Sequence, residues 1–169
     1  QAAGNLRGEA TRRGIDARRL IFAASLPQAE HLARLQLADL MLDTSPFNAH
    51  TTASDALWAG VPLVTCPGET FPSRVAGSIL HAIGLGDLVA QTLQDYFELA
   101  FELATDAGRL AAVKARLSAN RLVTPLFDVA AYTRGLEGLY RDMIERHRAA
   151  LLPSTIGTAR VSAPSPARA

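Results

Sequence analysis

Short apolar runs alternate with stretches of helical periodicity over the first ninety residues. The runs at 19–23, 40–42, 63–66 and 88–90 are short and apolar, as expected for strands of a covered sheet. Between them, apolar residues recur every three or four positions, which predicts helices. These helices cover 29–37, a segment that ends at Gly60, and 73–83, which is followed by Gly84.

The remainder of the chain predicts helices and then a tail. Helices are expected at 95–104 and 108–122, and Asp128 is placed to cap a last helix. That helix carries an apolar stripe, which we expect to be core, in part against a partner that this chain lacks. We also expect Trp58 to be core. The stripe consists of Val129, Tyr132, Leu136, Leu139, Tyr140 and Met143. Residues 151–169 are rich in Ser, Thr, Ala and Pro, which predicts a disordered tail.

Alternating strands and helices indicate an α/β domain over residues 1–150, with a parallel sheet covered by helices on both faces. Ligands of such sheets bind beyond the carboxyl ends of the strands, where the loop after Leu42 would lie. The chain has no Gly-x-Gly-x-x-Gly motif, so a dinucleotide site has little support.

Composition narrows the classes of partner. The 169 residues are 49% hydrophobic and 20% charged, with a formal net charge of +1. This balance gives no electrostatic reason to expect a nucleic acid or an anionic membrane as a partner. The single cysteine, Cys66, excludes an internal disulfide and fits a reducing compartment such as the cytoplasm. No metal-ligand spacing is present, so we expect no metal site.

The most informative stretch follows the run at 40–42. Asn48, His50, Thr51 and Thr52 gather hydrogen-bonding groups where a helix is predicted to begin, and Asp55 follows about one turn later. Free backbone N–H groups and the helix dipole favour anions at such a position. A carboxylate one turn further on can accept from a sugar diol. The pattern therefore indicates a site for a phosphate joined to a ribose.

Several motifs in this region resemble one enzyme family. They are Leu-Asp43-Thr, Asn48-Ala-His50-Thr51-Thr52, Asp55-Ala-Leu-Trp58-Ala-Gly60-Val-Pro62 and Pro67-Gly68-Glu69-Thr70-Phe-Pro-Ser73-Arg74-Val75. Together they resemble the C-terminal catalytic region of protein O-GlcNAc transferases, a family that includes bacterial homologues and the SPINDLY branch. The resemblance runs over about residues 5–147 and is strongest to the bacterial homologues. It implies the C-terminal Rossmann-like half of a GT-B glycosyltransferase.

The resemblance also assigns roles to individual residues. It implies that Thr51 and Thr52 contact the diphosphate of a nucleotide sugar, and that His50 contacts the diphosphate or the sugar. Asp55 would accept from the ribose. Gln28, His31 and Arg34 match the segment that packs against uracil and ribose, with Gln28 in place of a lysine usual in animal members.

The implied reaction is inverting transfer of N-acetylglucosamine from UDP-GlcNAc to Ser or Thr hydroxyls of proteins, without a metal or other cofactor. His50, Thr51 and Thr52 would stabilise the leaving diphosphate. The chain begins at Gln1 and shows no general base. We therefore expect a fragment, inactive alone, whose first strands, acceptor-binding half and tetratricopeptide-type helical repeats lie upstream.

Two alternatives stay open. A SPINDLY-like O-fucosyltransferase would use GDP-fucose, but that branch typically carries Thr where His50 stands and Glu where Asp55 stands. A non-catalytic nucleotide-binding domain would share the donor site without the chemistry.

Overall fold

The computed structural model describes residues 1–157, which form seven α-helices and a small parallel sheet. In chain order the elements are α1 (Ala2–Arg12), α2 (Gln28–Leu35), β1 (Met41–Leu42), α3 (Thr51–Ala59), β2 (Leu63–Val64), α4 (Val75–Ala82), α5 (Leu93–Thr105), α6 (Ala107–Asn120) and α7 (Val129–Arg148). Short 3₁₀ turns lie at Ala17–Arg19, Phe71–Ser73, Gly86–Leu88 and Pro125–Phe127.

The sheet is parallel, as predicted. Met41 pairs with Leu63 and Leu42 with Val64, so β1 and β2 run side by side. On the other edge of β2, Thr65 forms a single parallel bridge with Val89. The strand predicted at 88–90 is therefore reduced to one bridge, because the residues before it form a 3₁₀ turn. The α/β class is confirmed.

The hydrophobic core surrounds β2. Helices α3, α4, α5 and α6 contribute apolar side chains that are almost wholly removed from water, and this burial stabilises the domain. The main contributors are Leu57, Leu63, Val64, Leu80, Ile83, Leu85, Leu88, Leu103, Val113 and Leu117.

The predicted end of α3 is confirmed. Gly60 has φ 88°, a left-handed conformation that favours glycine. This turn lets the Val61 N–H donate to the Ala56 carbonyl oxygen at 2.8 Å and sends the chain through Pro62 directly into β2. The predicted cap of α7 is also confirmed, since an Asp128 carboxylate oxygen accepts from the Ala131 N–H at 2.8 Å.

The strand predicted at 19–23 is wrong. Residues Ala17–Arg19 form a 3₁₀ turn in which Asp16 accepts from the Arg18 N–H, and the residues that follow have no regular structure. Ile21 is 87% exposed. An apolar run becomes a strand only when another strand pairs with its backbone, and no strand within residues 1–157 does so here.

The expectation that Trp58 and the α7 stripe pack in the core of this chain is also wrong, whereas the expectation that part of the stripe meets a partner outside it stays a prediction. None of the residues of α7 is buried, and Tyr132 is 70% exposed. Trp58 is about half exposed, with its indole edge-on to Phe127 and below the Arg121 guanidinium. Periodicity identifies an apolar face of a helix but does not show that another element covers it.

The end of the chain was predicted to be a disordered tail. Residues 151–157 have no regular secondary structure, and the rest of that tail, 158–169, lies outside the described residues. No helix within 1–157 is both long enough and apolar enough to cross a bilayer.

A buried carboxylate joins the loop after β1 to the sheet. Asp43 is 8% exposed. Its Oδ1 accepts from the backbone N–H groups of Thr44 at 2.8 Å and Ala49 at 2.6 Å, and its Oδ2 accepts from the Thr65 hydroxyl at 2.5 Å. The carbonyl oxygen of Asp43 accepts from the Tyr96 hydroxyl at 2.9 Å. Loop 43–49, β2 and α5 are thereby held together at the residue that ends β1.

Replacing Thr65 with valine should destabilise the chain measurably. Valine keeps the shape of threonine but removes the hydroxyl that donates to the buried Asp43 carboxylate. We expect the free energy of unfolding to fall by about 1–3 kcal/mol, the range for a hydrogen bond to a charged group. Urea denaturation would measure it. Thr105→Val is the matched control, because its exposed hydroxyl bonds only to helix carbonyls and its loss should cost less than about 0.5 kcal/mol. Equal losses in both variants would contradict the role given to Asp43.

Because of Tyr96, the free energy of unfolding should fall at alkaline pH. Burial, together with the negative charges of Asp43 and Cys66, raises the pKa of Tyr96 above its usual value. The unfolded chain releases this phenol proton near pH 10, while the folded chain holds it to higher pH. The stabilisation is therefore complete below about pH 10 and is lost as pH rises through the folded pKa.

Comparison with Tyr96→Phe isolates this effect. Melting temperatures measured between about pH 8 and 11 should show the advantage of the wild-type chain over Tyr96→Phe shrinking as pH rises. The control is Tyr140→Phe, which changes an exposed tyrosine and should keep a constant offset from wild type. A constant offset for Tyr96→Phe as well would show that this hydroxyl does not titrate differently in the folded state.

Candidate functional site

The loop that leads into α3 is tied to a segment far along the chain. The Asn48 N–H donates to the Pro72 carbonyl oxygen at 3.0 Å, and the Asn48 amide donates to the Thr44 carbonyl oxygen at 2.8 Å. Asn48 is 2% exposed. These bonds, with those of Asp43, set the place at which α3 begins.

The start of α3 leaves donors free. Among residues 1–157 no side chain caps this end of the helix, and the carbonyl oxygen of His50 accepts from the N–H groups of Ala53 and Ser54. The backbone N–H groups of Thr51 and Thr52 bond to nothing within residues 1–157. Both threonine side chains are exposed. Two amides and two hydroxyls are thus available to an anion where the helix dipole is positive.

His50 is held in place beside these donors. Its Nε2 lies 3.3 Å from the Pro72 carbonyl oxygen. Its ring stacks on Phe47, with centroids 5.1 Å apart, and meets the edge of Phe71 at 6.2 Å. The imidazole is therefore half-buried between two aromatic rings.

Asp55 is the fifth residue of α3, so it lies just beyond the first turn. It is half-buried and makes no side-chain hydrogen bond within the described residues. Thr51 and Asp55 are four residues apart, which places them on one face of the helix, about 6 Å apart along its axis. Because the helix dipole weakens beyond the first turn, capping is a minor role for this carboxylate.

The remaining predicted residues lie on α2, which packs against α3. Gln28 is exposed in the first turn of α2. Arg34 Nη2 lies 3.2 Å from His31 Nδ1, which confirms that these two residues share a face. Arg34 Nη1 donates to the Ala24 carbonyl oxygen at 2.7 Å, so part of the guanidinium is already engaged. A guanidinium only donates, so the His31 proton resides on Nε2 and is available to a ligand.

The structure thus brings the predicted residues onto two adjoining helices. His50, Thr51, Thr52 and Asp55 lie at α3, whereas Gln28, His31 and Arg34 lie at α2. The described residues show no hydrogen bond between the two groups. Arg74 makes no ion pair within residues 1–157.

The supporting residues were not predicted from the sequence. An aspartate that ends a strand stands at the carboxyl edge of the sheet, so Asp43 could have been suspected. Phe71 and Pro72 belong to one of the motifs that carry the family resemblance, but the sequence does not indicate that they contact His50, more than twenty residues earlier. Only the folded chain shows that they enclose its imidazole.

An open groove of about 410 Å³ lies beside this site rather than in it. It shares only Phe71 with the surroundings of His50, and none of the predicted site residues lines it. Its walls are Phe71, Arg74, Val75, Ser78, Ile79, Ala82 and Leu126. We base the candidate site on the free donors of α3, because the chemistry of a phosphate requires donors and the groove is mostly apolar.

Comparison with known proteins gives a consistent picture. The profile described as glycosyl transferase family 41 matches residues 1–136. The chain is 41% identical over 151 residues to a UDP-N-acetylglucosamine–peptide N-acetylglucosaminyltransferase of Caenorhabditis elegans, covering 89% of this chain and 13% of that protein. It is also 41% identical over 149 residues to a probable enzyme of the same name, SEC, of Arabidopsis thaliana, covering 86% of this chain and 15% of that protein.

Similarity to the SPINDLY branch is lower. A probable UDP-N-acetylglucosamine–peptide N-acetylglucosaminyltransferase SPINDLY of Hordeum vulgare is 38% identical over 118 residues, covering 70% of this chain and 12% of that protein.

The fold is that of a solved O-GlcNAc transferase. A mutant of the Thermobaculum terrenum enzyme superposes with a TM-score of 0.80 at 32% identity, covering 88% of this chain and 29% of that one. This likeness supports the predicted Rossmann-like half of a GT-B enzyme. The chain spans only a small part of the length of the relatives it matches. From the extent of the family match and the identity to these relatives, the chain belongs to glycosyl transferase family 41.

Proposed function

We propose that this chain is the donor-binding half of an inverting glycosyltransferase that moves N-acetylglucosamine from UDP-GlcNAc to Ser or Thr hydroxyls of proteins. The observation that carries the proposal is the start of α3. There, unbonded N–H groups and hydroxyls of Thr51 and Thr52 stand beside His50, whose ring contacts Phe47 and the Pro72 carbonyl oxygen. Asp55 lies one turn away, in a chain of family 41.

The proposed mechanism uses these groups on the leaving diphosphate. As the bond from the sugar to the diphosphate breaks, negative charge grows on the diphosphate oxygens. Donors aimed at those oxygens stabilise this charge more in the transition state than in the ground state. Thr51, Thr52 and His50 would supply the donors. The fixed position of α3, set by Asp43 and Gly60, keeps them oriented before the substrate arrives.

Asp55 and α2 would bind the nucleoside. The Asp55 carboxylate has no partner within residues 1–157 and can accept from both ribose hydroxyls. On α2, Gln28, His31 and Arg34 can bond to the base and ribose, since His31 Nε2–H and the rest of the Arg34 guanidinium remain available. The contact between α2 and α3 supports one continuous site for base, ribose and diphosphate.

We propose that transfer needs no metal ion or other cofactor. A metal ion could neutralise the negative charge of the leaving diphosphate. Here the helix N-terminus, two hydroxyls and an imidazole would stabilise that charge instead. Within the described residues, no three His, Cys, Asp or Glu side chains are grouped to hold a metal.

We further propose that the acceptor protein and the general base are supplied by parts of a longer protein that precede this chain, including tetratricopeptide-type repeats. On this proposal the chain alone binds the donor but does not transfer sugar. The resemblance to bacterial homologues supports a bacterial enzyme, and the single cysteine supports a cytoplasmic location. The formal net charge of +1 favours neither a nucleic acid nor an anionic membrane as a partner.

UDP should bind this chain more tightly than GDP. Titration calorimetry with UDP, GDP, UDP-GlcNAc and GDP-fucose tests the proposal directly. Equal or stronger binding of the guanine ligands would favour an O-fucosyltransferase of the SPINDLY type. All three relatives are named as UDP-N-acetylglucosamine transferases, which favours the uracil ligands. Catalytic inactivity of a longer protein that still binds UDP would favour a non-catalytic nucleotide-binding domain.

Replacing Asp55 with asparagine should weaken UDP binding while leaving the fold intact. The amide keeps the shape and one acceptor oxygen but removes the charge, so binding should weaken by about 1–3 kcal/mol. Asp55 lies beyond the first turn of α3, so the melting temperature without ligand should change little.

The matched control is Asp142→Asn, which changes an exposed aspartate on α7. It should bind UDP like the wild-type chain. If Asp55→Asn had a much lower melting temperature but an unchanged dissociation constant for UDP, Asp55 would be a structural residue.

A further inference from the structure

The contact at Pro72 determines which nitrogen of His50 carries a proton. His50 Nε2 lies 3.3 Å from the Pro72 carbonyl oxygen, and a carbonyl oxygen can only accept. Nε2 must therefore carry the hydrogen. The same carbonyl oxygen accepts from the N–H of the buried Asn48 at 3.0 Å, so it is held in place independently of the imidazole.

Two aromatic rings keep the imidazole in this orientation. Phe47 is nearly parallel to it, at an interplanar angle of 19°, and Phe71 meets it at 83°. Tilting the ring out of its plane would lose the stacking on Phe47, whereas turning it over by 180° would replace Nε2 with a carbon and lose the bond to Pro72. The orientation is thus maintained by two contacts from separate parts of the chain.

The other nitrogen, Nδ1, is left for a ligand. It has no hydrogen-bond partner within residues 1–157. In the neutral imidazole, with the proton on Nε2, Nδ1 presents a lone pair and can only accept. A phosphoryl oxygen also only accepts. The Nδ1 lone pair of a neutral His50 would therefore repel that oxygen. Only the imidazolium, protonated on both nitrogens, can donate to it.

We propose that His50 takes up a proton when a nucleotide sugar binds. Nε2–H stays on the Pro72 carbonyl oxygen, and a proton from the buffer forms the new Nδ1–H, which is donated to a phosphoryl oxygen. The added positive charge is balanced by the negative charge of the ligand. This inference rests on the proposed donor site and specifies the ionisation state in which His50 acts there.

Several charged groups lie on the segments around His50, and none of those within residues 1–157 is bonded to its ring. The Asp43 carboxylate is occupied by Thr44, Ala49 and Thr65. The remaining charged or titratable residues of these segments are Glu69 and Arg74 beside Phe71 and Pro72, Asp55 on α3, and Glu30, His31 and Arg34 on α2. The bound ligand therefore supplies the charge that favours the imidazolium.

Calorimetry in buffers of different ionisation enthalpy measures the proton uptake. UDP-GlcNAc is the suitable probe, because both of its phosphates are esterified and do not titrate near neutral pH. At about pH 7.5 the observed heat should depend on the buffer and indicate uptake approaching about one proton per ligand, since imidazole is the side chain that ordinarily titrates in this range. Affinity should fall by up to about tenfold per pH unit as pH rises further.

Two variants test whether His50 is the group that takes up the proton. His50→Gln keeps an amide that can still donate to the Pro72 carbonyl oxygen, and it should lose both the uptake and the pH dependence. His81→Gln is the matched control, because His81 is exposed on α4 and outside the site, and it should retain both.

The outcomes separate the two proposals. Failure of the wild-type chain to bind UDP-GlcNAc would overturn the donor site itself. Binding without proton uptake, or with uptake that persists in His50→Gln, would overturn the role of His50 and leave the donor site standing. Should His50→Gln not bind, ¹⁵N spectra of the wild-type imidazole decide the question. The complex should show both ring nitrogens protonated, and a neutral ring in the complex would refute the proposal.

Discussion

The placement of the candidate site depends on a carboxylate that is almost completely removed from water. A buried charge is costly unless hydrogen bonds surround it, and Asp43 obtains three of them from Thr44, Ala49 and Thr65. Satisfying those bonds leaves loop 43–49 little conformational freedom. The point at which α3 begins, and therefore the direction of its free N–H groups, follows from where this loop must run.

Much of the architecture could be predicted from local patterns. Helix periodicity located α2 to α7, Gly60 and Gly84 marked ends where the chain turns through positive φ, and Asp128 was correctly expected to cap α7. The errors share one cause. An apolar run at 19–23, an exposed Trp58 and an apolar stripe on α7 all looked like core, but burial depends on which elements pack together, and that is a property of the whole fold.

The candidate site likewise has one part that the local sequence predicts and another that depends on the whole fold. Thr51, Thr52 and Asp55 could be predicted because they belong to one helix, whose spacing alone places them on a common surface. The environment of His50 could not, because Phe71 and Pro72 reach it from a distant loop. The proton position on the imidazole follows from that distant contact, so it becomes visible only once the chain is folded.

The exposed α7 gives the molecule two levels of local stability. The core residues Leu57 of α3 and Leu63 and Val64 of β2 exchange their amide hydrogens only when the shared core opens, because their side chains are packed within it. Helix α7 has no buried residue and draws mainly on its own backbone hydrogen bonds, so its amides can exchange without opening of the core. It can therefore unwind and re-form while the donors at α3 stay in position, so motion at this end of the chain need not disturb the site.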